Sequence, residues 1–178
     1  MAIYRGISIS PEEKVILNYH ELSRQVEACR VQKARIVITI GTWDMIHVGQ
    51  GRYLRKARSH GDLLVVGVDS DVAVKRYKGQ DRPKIPQEER MEMLSYLEFV
   101  DFITLIEDVD KEGTWYYGLI KMLRPDIFVA VEDSYPEEQR EIIRQFCGAL
   151  IILPRQAENT SSTRIIEKIM RHAKESGE

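Results

Sequence analysis

The 178-residue chain is poor in the features that mark secreted, metal-binding and membrane proteins. Its two cysteines, Cys29 and Cys147, cannot crosslink a fold of this size and do not match a metal-ligand spacing. No apolar run approaches the roughly 20 residues that a membrane-spanning helix needs. The first ten residues lack the charged-then-apolar layout of a signal peptide. We therefore expect a cytoplasmic protein with no membrane partner.

An excess of charge of one sign is also missing, because 26 lysines and arginines stand against 28 acidic residues. The net charge of -2 gives no general attraction to nucleic acid. We therefore expect no nucleic-acid partner. Nucleic-acid binding through the cations at 75–78 is kept only as the third of three possible functions. Apolar residues make up 43% of the chain and charged residues 30%, which is typical of one globular domain.

The N-terminal segment 1–33 has the pattern of a helical extension. Ser10 is a candidate helix cap, Pro11 suits the first helical position, and Glu13 would complete a capping box. An apolar stripe follows at helical spacing, formed by Val15, Tyr19, Leu22, Val26 and Cys29. We predict a helix from Pro11 to about Val31. Its stripe either packs on the domain's own sheet, which we favour, or forms a seam with a second copy or another partner.

From residue 34 to the end, short β-branched runs alternate with helical patterns. The runs lie at 35–41, 63–68, 102–106, 127–131 and 150–153, and the helical patterns lie at 50–59, 86–97, 111–123, 136–146 and 161–174. This alternation predicts one α/β domain over 34–178, with a five-stranded parallel sheet and helices on both faces. In such sheets ligands bind beyond the carboxyl ends of the strands.

The first candidate site follows the first strand, at Gly41-Thr42-Trp43-Asp44 and continuing to residue 50. Gly41 and Gly49 allow a tight turn and close approach of the backbone. His47 and Gln50 lie three residues apart at a helix start, where N–H groups attract anions. Alternatively, His47 is a capping or buried histidine, but the polar side chains beside it favour a site.

Two further segments could bind phosphate. Lys75, Arg76 and Lys78 form a cationic cluster, which in the simpler interpretation is only a solvated helix face. The segment 159–164 carries hydroxyls and an arginine before the last helical pattern, and offers either an N-cap or a phosphate site.

The segment 41–58, GTWDMIHVGQGRYLRKAR, resembles the GTFDxxHxGHxxxLxxA signature of the small nucleotidyltransferases of the cytidylyltransferase family. The likeness runs from about 35 to 170, with further matches at 62–71, 74–79, 82–83, 89–90, 100–101, 124–126 and 161–166. It is nearest to the members that act on glycerol 3-phosphate with CTP and on heptose phosphate with ATP. The resemblance implies a Rossmann-like domain of the HIGH superfamily.

The resemblance also implies an activity, namely transfer of a nucleoside monophosphate from CTP or ATP to a polyol or sugar phosphate, with release of pyrophosphate. It further implies a homodimer, and Mg²⁺ held mainly by substrate oxygens and water rather than by a protein metal site. The segments 74–79 and 82–90 look closer to the heptose type. Because Pro154-Arg155 before the ST-rich motif resembles the cytidylyltransferases, we expect CTP in preference to ATP.

Residue roles follow from the same resemblance. For the reaction that it implies, we assign His47 to the α-phosphate and the bridging region, and Lys75, Lys78 and Arg164 to the charge that grows on pyrophosphate. It places Lys75 and Lys78 on a mobile loop over the triphosphate, and it lets Arg90 reach the nucleotide, the alternative for Arg90 being a surface salt bridge. The expected nucleotide-binding residues are Gly41, Thr42, Trp43, Asp44, Gly49, Gln50, Lys78, Arg90, Glu132, Asp133, Arg155, Ser161, Ser162 and Thr163.

Three places depart from the family pattern, the mildest being Trp43, which replaces the usual Phe or Cys. Gln50 stands where the signature has its second histidine, so this side chain can donate a hydrogen bond but cannot carry charge. After the fourth strand the chain reads Ala130-Val131-Glu132-Asp133, without the family's glycine or the lysine of its heptose members. These departures leave open a second function, a nucleotide-binding or partner-binding module without catalysis.

Overall fold

A computed structural model describes residues 10–112 and 114–175. Within them, five parallel strands form one sheet in the order β3-β2-β1-β4-β5. The strands are β1 Ile36–Gly41, β2 Leu63–Asp69, β3 Phe102–Ile106, β4 Ile127–Val131 and β5 Ala149–Leu153. β1 lies between β2 and β4, so the chain reverses its direction of travel across the sheet beside this strand. The predicted five-stranded parallel sheet is confirmed.

Helices cover both faces of the sheet. They are α1 Tyr19–Val31, α2 Val48–Arg58, α3 Asp71–Lys78, α4 Gln87–Ser95, α5 Gly118–Leu123, α6 Glu137–Arg144 and α7 Ser162–Glu175. Alternate residues of β1 face opposite layers: Ile36 and Ile38 pack in the cluster that contains α1 and α5, and Val37 packs in the cluster that contains α2 and α4. The predicted Rossmann-like layering is therefore confirmed.

The first helix begins later than predicted. Residues 12–14 form only a short 3-10 helix, and Val15 then makes a parallel bridge to Ile103 of β3. α1 starts at Tyr19 because Asn18 caps it, its side-chain oxygen accepting from the backbone N–H of His20 (2.9 Å) and of Glu21 (3.1 Å). The prediction of one helix from Pro11 is therefore wrong. Residues 1–9 of the predicted extension lie outside the described residues.

The apolar stripe of α1 packs on the domain's own sheet. Leu22, Val26 and Cys29 are buried in the same cluster as Ile38 and Phe128 of the sheet. This is the interpretation that we favoured from the sequence. A seam for a second copy is therefore not needed to explain the spacing of these residues.

The helix predicted at 111–123 begins only at Gly118. The residues before it form a hairpin in which Val109 bridges to Trp115 in antiparallel fashion. Asp110 holds the turn, because its carboxylate accepts from the backbone N–H of Glu112 (3.0 Å) and of Thr114 (2.7 Å). Local bonds of this kind compete with the helix for the same backbone groups, which explains the late helix start.

Among the described residues, no helix is both long and apolar enough to cross a bilayer.

Candidate functional site

A cavity of about 970 Å³ lies at the carboxyl edge of the sheet and receives both predicted helix starts. It is lined by residues of the β1–α2 loop, the end of α3, the loops after β4 and β5, and the start of α7. Of the residues expected from the sequence, the structure places these in its lining: Gly41, Thr42, Trp43, Asp44, His47, Gly49, Gln50, Lys78, Asp133, Arg155, Ser161, Ser162, Thr163 and Arg164.

One side chain, that of Ser162, joins the start of α7 to the β1–α2 loop. The Ser162 hydroxyl donates to the backbone carbonyl of Asp44 at 2.5 Å. Ser161 caps α7, its hydroxyl accepting from the backbone N–H of Arg164 at 3.2 Å. The two predicted anion sites therefore face one cavity across a direct hydrogen bond.

The carboxylate of Asp44 fixes a third segment to the same loop. It accepts from Arg82 Nε (3.0 Å) and from the backbone N–H groups of Lys84 (3.0 Å) and Ile85 (3.0 Å). Asp44 is only 1% exposed, so this ion pair is screened little by water. A single aspartate thus connects, through its carboxylate and its carbonyl, the loop before α4 and the start of α7.

His47 caps α2 and also lines the cavity. Its Nδ1 accepts from the backbone N–H of Gly49 at 3.2 Å. Burial lowers the pKa of the His47 imidazole, and the charge of Arg155 lowers it further. His47 is therefore neutral at neutral pH, and because Nδ1 is an acceptor, Nε2 carries the proton. The two interpretations of His47 from the sequence, cap and site residue, are compatible.

The residues beside His47 set the shape of the α2 start. Gln50 completes a capping box, its side-chain oxygen accepting from the backbone N–H of His47 at 3.1 Å. A Cβ on Gly49 would lie 2.9 Å from the Cβ of Ala157 and 3.1 Å from the His47 ring. Glycine is therefore required here because the loop after β5 packs directly on the first turn of α2.

A polar network, of which Thr42 is buried and Tyr77 and Lys78 are exposed, forms the wall of the cavity between β1 and α3. The Tyr77 hydroxyl donates to the Asp69 carboxylate at 2.5 Å and lies 2.8 Å from the Thr42 hydroxyl. Lys78 Nζ donates to the same Thr42 hydroxyl at 2.8 Å. Burial raises the pKa of Asp69 and lowers the pKa of Lys78, while the attraction between the two charges opposes both shifts.

Sequence reasoning did not select Asp69, Tyr77 or Arg82 as site residues. Asp69 ends β2 at the carboxyl edge of the sheet, next to β1. Its position was a usable signal, because ligands bind at that edge. The position of Tyr77 depends on how α3 packs, and the sequence carries no such signal.

The structure corrects the role of Arg90. Its side chain is 1% exposed and donates to the carbonyls of Ile85 (3.0 Å) and Asp69 (2.8 Å), to that of Thr42, and to the Asp71 carboxylate (2.6 Å). It reaches neither a nucleotide site nor the surface salt bridge that was its alternative. Arg90 instead ties together the loops that follow β1 and β2.

Lys75 and Glu132 also lie elsewhere than expected. Lys75 and Lys78 both belong to α3 rather than to a loop, and the exposed side chain of Lys75 is outside the cavity lining. Glu132 is exposed and accepts from the backbone N–H of Arg155 at 3.2 Å. The neighbouring Asp133 does line the cavity and pairs with the Arg155 guanidinium, with Nε at 2.9 Å.

Three of the carboxylates at the cavity are engaged by protein groups, and the side chains of Glu158 and Glu167 also line it. Asp44 pairs with Arg82, Asp69 with Tyr77, and Asp133 with Arg155. In the part of the chain that the structure describes, no group of three or more histidine, cysteine or acidic side chains could hold a metal ion. The cations in the lining, Lys78, Arg155 and Arg164, fit a polyphosphate, and a Mg²⁺ that entered with it would be held by phosphate oxygens and water.

Comparison with known proteins agrees with this geometry. A family model described as cytidylyltransferase-like matches residues 38–168. The bifunctional protein HldE of Nitratiruptor sp. is 36% identical over 165 residues, which cover 93% of this chain and 34% of that protein. HldE of Geotalea uraniireducens is 38% identical over 156 residues, which cover 86% and 31%. The chain thus spans about a third of the length of these relatives.

Two solved structures share the fold. The lipopolysaccharide core biosynthesis protein of Thermoplasma volcanium is 26% identical, with a TM-score of 0.56 over 68% of this chain and 96% of that one. The pantoate-β-alanine ligase of Francisella tularensis is 13% identical, with a TM-score of 0.55 over 88% and 78%, and supports the fold alone. With the family model covering most of the domain, this chain belongs to the cytidylyltransferase-like family of nucleotidyltransferases.

Proposed function

We propose that the protein transfers a nucleoside monophosphate from a nucleoside triphosphate to a sugar phosphate and releases pyrophosphate. The observation that carries this proposal is the hydrogen bond from Ser162 to Asp44, which brings the starts of α2 and α7 to one cavity. Each helix start carries the positive end of the helix dipole, although the Gly49 N–H is capped by His47 and the Arg164 N–H by Ser161. Two of them around one cavity suit a polyphosphate.

The reaction itself needs little from the protein beyond alignment and charge. A phosphate monoester has its second pKa near about 6, so its oxygen is a nucleophile without a general base. That oxygen bonds to the α-phosphorus, the bond from this phosphorus to the α–β bridging oxygen breaks, and pyrophosphate leaves with the electron pair. Positioning and charge stabilisation lower the barrier of such a transfer.

The described residues supply those two contributions. His47 has its Nε2 proton available to donate to the α-phosphate or the bridging oxygen. Lys78 and Arg164 line the cavity and would neutralise the charge that grows on pyrophosphate. Lys75 has no assigned role, because its side chain lies outside the cavity lining. Mg²⁺ bound with the triphosphate would supply further charge neutralisation.

Of the two possible co-substrates, the relatives favour ATP over the CTP that we expected from the sequence. The HldE proteins match most of this chain, and the segments 74–79 and 82–90 also resemble the heptose type, which uses ATP. The preference for CTP rested on Arg155, and the guanidinium of Arg155 is paired with Asp133. We therefore propose ATP as the nucleotide and a heptose 1-phosphate as the first acceptor to test.

Pyrophosphate release tests the proposal directly. ATP and CTP are each supplied with heptose 1-phosphate, mannose 1-phosphate and glycerol 3-phosphate, in the presence of Mg²⁺. We expect release with ATP and a sugar 1-phosphate, with one nucleotide sugar formed for each pyrophosphate. Turnover that is faster with CTP would overturn the choice of nucleotide, and no turnover with any pair would overturn the proposed activity.

One observation favours a second function, a nucleotide-binding module without catalysis. Gln50 replaces a histidine of the family signature, and its side-chain oxygen is used in the capping box. Only its amide N–H₂ is left to meet a phosphate. A rise in melting temperature with ATP, without turnover on any acceptor, would favour this second function.

A further inference from the structure

One end of the cavity is built by aromatic side chains that the proposed phosphate chemistry does not use. Trp115, from the hairpin after β3, lines the cavity and is 9% exposed. Tyr135, from the loop after β4, lines it as well. Both rings pack against Phe128 of β4, with centroid distances of 6.3 Å for Trp115 and 5.9 Å for Tyr135. These contacts place Trp115 and Tyr135 in one aromatic wall.

The indole N–H of Trp115 has no hydrogen-bond partner. Its Nε1 is buried and unpaired among the described residues. The other tryptophan of the chain, Trp43, also lines the cavity, but its Nε1 donates to the Gly67 carbonyl at 2.8 Å. An indole N–H that has lost water and found no acceptor is unusual in a folded protein. A ligand oxygen that reached Trp115 would restore the lost hydrogen bond.

The hairpin that carries Trp115 is held firmly on both sides. Arg76 of α3 donates to the carbonyls of Val109 (3.3 Å) and Asp110 (2.6 Å). Asp108 accepts from the backbone N–H of Gly118 at 2.6 Å and from the Tyr19 hydroxyl at 3.2 Å. The unpaired indole therefore belongs to a hairpin with several hydrogen bonds to its surroundings. Through Arg76, this hairpin is bonded to α3, the helix that carries Lys78.

The chemistry of this wall differs from that of the phosphate end. Cations line the phosphate end, among them Lys78, Arg155 and Arg164, whereas Trp115 and Tyr135 offer uncharged rings and neutral donors. Burial raises the pKa of the Tyr135 hydroxyl well above its ordinary value, so that group remains a donor. Aromatic faces with neutral donors suit the C–H faces and hydroxyls of a carbohydrate.

We propose that Trp115 and Tyr135 form the subsite for the sugar part of the acceptor, and that the Trp115 indole donates to one of its hydroxyl oxygens. This inference rests on the proposed function, since it locates one half of that reaction's second substrate. Because Nε1 is covered in the protein without substrate, this hydrogen bond requires the indole ring to turn towards the cavity. Trp115 is thus a specificity-determining residue, separate from the residues that meet the triphosphate.

The two tryptophans allow a direct test by NMR. A ¹⁵N-labelled protein gives one indole N–H signal from Trp43 and one from Trp115, and the Trp115→Phe variant shows which is which. A non-hydrolysable ATP analogue is added first with Mg²⁺, and heptose 1-phosphate or mannose 1-phosphate is added second. We expect the Trp115 indole signal to shift only in the second step, and the Trp43 signal to stay where the first step left it.

Other outcomes separate the subsite from the proposed function. A Trp115 signal that shifts with the ATP analogue alone would place the nucleotide base at this wall and overturn the subsite. If ATP and a sugar phosphate react but the Trp115 signal never responds, the subsite is wrong and the proposed function stands. If the analogue leaves the backbone signals of Gly49 and Ser162 unchanged, the proposed function fails, and the subsite fails with it.

Kinetics provide a second readout with a matched control. Trp115→Phe keeps an aromatic ring but removes the donor, so we expect KM for the sugar phosphate to rise about fivefold to tenfold while KM for ATP is unchanged. Tyr117→Phe is the control, because the Tyr117 ring packs against Trp115 with a centroid distance of 4.7 Å but is not in the cavity lining. Equal effects of the two variants, or a change in KM for ATP alone, would overturn the role of Trp115.

Discussion

The hydroxyl of Ser162 donates to the backbone carbonyl of Asp44 at 2.5 Å, across 118 positions of sequence. This bond fixes the start of α7 against the loop that leads into α2. Because the Asp44 carboxylate also holds the backbone of Lys84 and Ile85, three separate segments share one buried residue. The distance between the two helix starts is therefore set by a small number of hydrogen bonds.

Removal of this link should weaken nucleotide binding more than folding. Ser162→Ala deletes one hydrogen bond, so we expect Kd for ATP to rise about threefold to tenfold and the free energy of unfolding to fall by about 1 kcal/mol or less. Titration calorimetry and urea unfolding measure the two quantities. Ser59→Ala is the control, since its exposed hydroxyl bonds only to the Lys56 carbonyl at the end of α2. An unchanged Kd in Ser162→Ala would contradict the link's role.

Two glycines on α2 should respond to alanine in opposite directions. At Gly49 the new Cβ would crowd Ala157 and the His47 ring, so we expect Gly49→Ala to lower the free energy of unfolding by about 1–3 kcal/mol. At Gly51 no atom lies within 4 Å of the new Cβ, so Gly51→Ala should raise it by about 0.5–1 kcal/mol. Equal effects of the two substitutions in urea unfolding would show that the contact with Ala157 is unimportant.

His47 should titrate below its ordinary pKa of 6.5 in the protein without nucleotide. Burial is the larger cause and the charge of Arg155 the smaller, so Arg155→Gln should raise the pKa only part of the way back. The unfolded chain binds the proton more readily than the folded one, so the contribution of His47 to stability is lost as the pH falls below 6.5 through the folded pKa. NMR titration of the imidazole measures this pKa, and a value above 6.5 would refute the expectation.

The catalytic role of His47 can be separated from its role as a helix cap. Asparagine is a good N-cap but has no donor at the position of Nε2, so His47→Asn should leave the free energy of unfolding within about 0.5 kcal/mol. We expect its kcat to fall roughly a hundredfold, as for removal of one donor to a developing charge. Steady-state pyrophosphate release measures kcat, and near-normal turnover would exclude His47 from the chemistry.

Arg90 should matter for stability rather than for nucleotide contact. Arg90→Met leaves three carbonyls and the Asp71 carboxylate without their donor, so we expect the free energy of unfolding to fall by about 3 kcal/mol. Arg24→Met is the control, because the Arg24 side chain is 78% exposed and pairs only with Glu21 on the surface. Urea unfolding of both variants measures the difference. A loss no larger than that of the control would contradict the structural role.

Short-range patterns were enough to predict the layers of the fold and the two helix starts at the cavity. β1 is a β-branched run that ends in Gly41, and α7 is preceded by hydroxyl residues, so both can be recognised without tertiary information. The predicted start of the first helix was wrong because Val15 forms a bridge to Ile103 of β3, which lies 88 positions away in the sequence. The prediction of helix before Gly118 was wrong because the Asp110 carboxylate bonds to backbone N–H groups that a helix would need.

Contacts between residues distant in sequence also explain which site residues were misassigned. Arg90 follows a family pattern, but whether it meets a ligand or the backbone depends on three loops that pack around it. Tyr77 and Asp69 face each other only because α3 returns its last turn to the end of β2. Trp115 was overlooked because nothing in its neighbourhood suggests a hairpin that reaches the cavity. Contacts between distant segments decide each of these cases.

The meeting of two helix starts has a consequence for the protein without its substrate. Like ends of two dipoles repel, and Lys78, Arg155 and Arg164 add further positive charge around the same cavity. An anion there acts as a counterion for the fold itself, so pyrophosphate alone should raise the melting temperature. If pyrophosphate is the product, its departure re-creates the repulsion, and the attraction that gathers the substrate must be overcome at the end of every catalytic cycle.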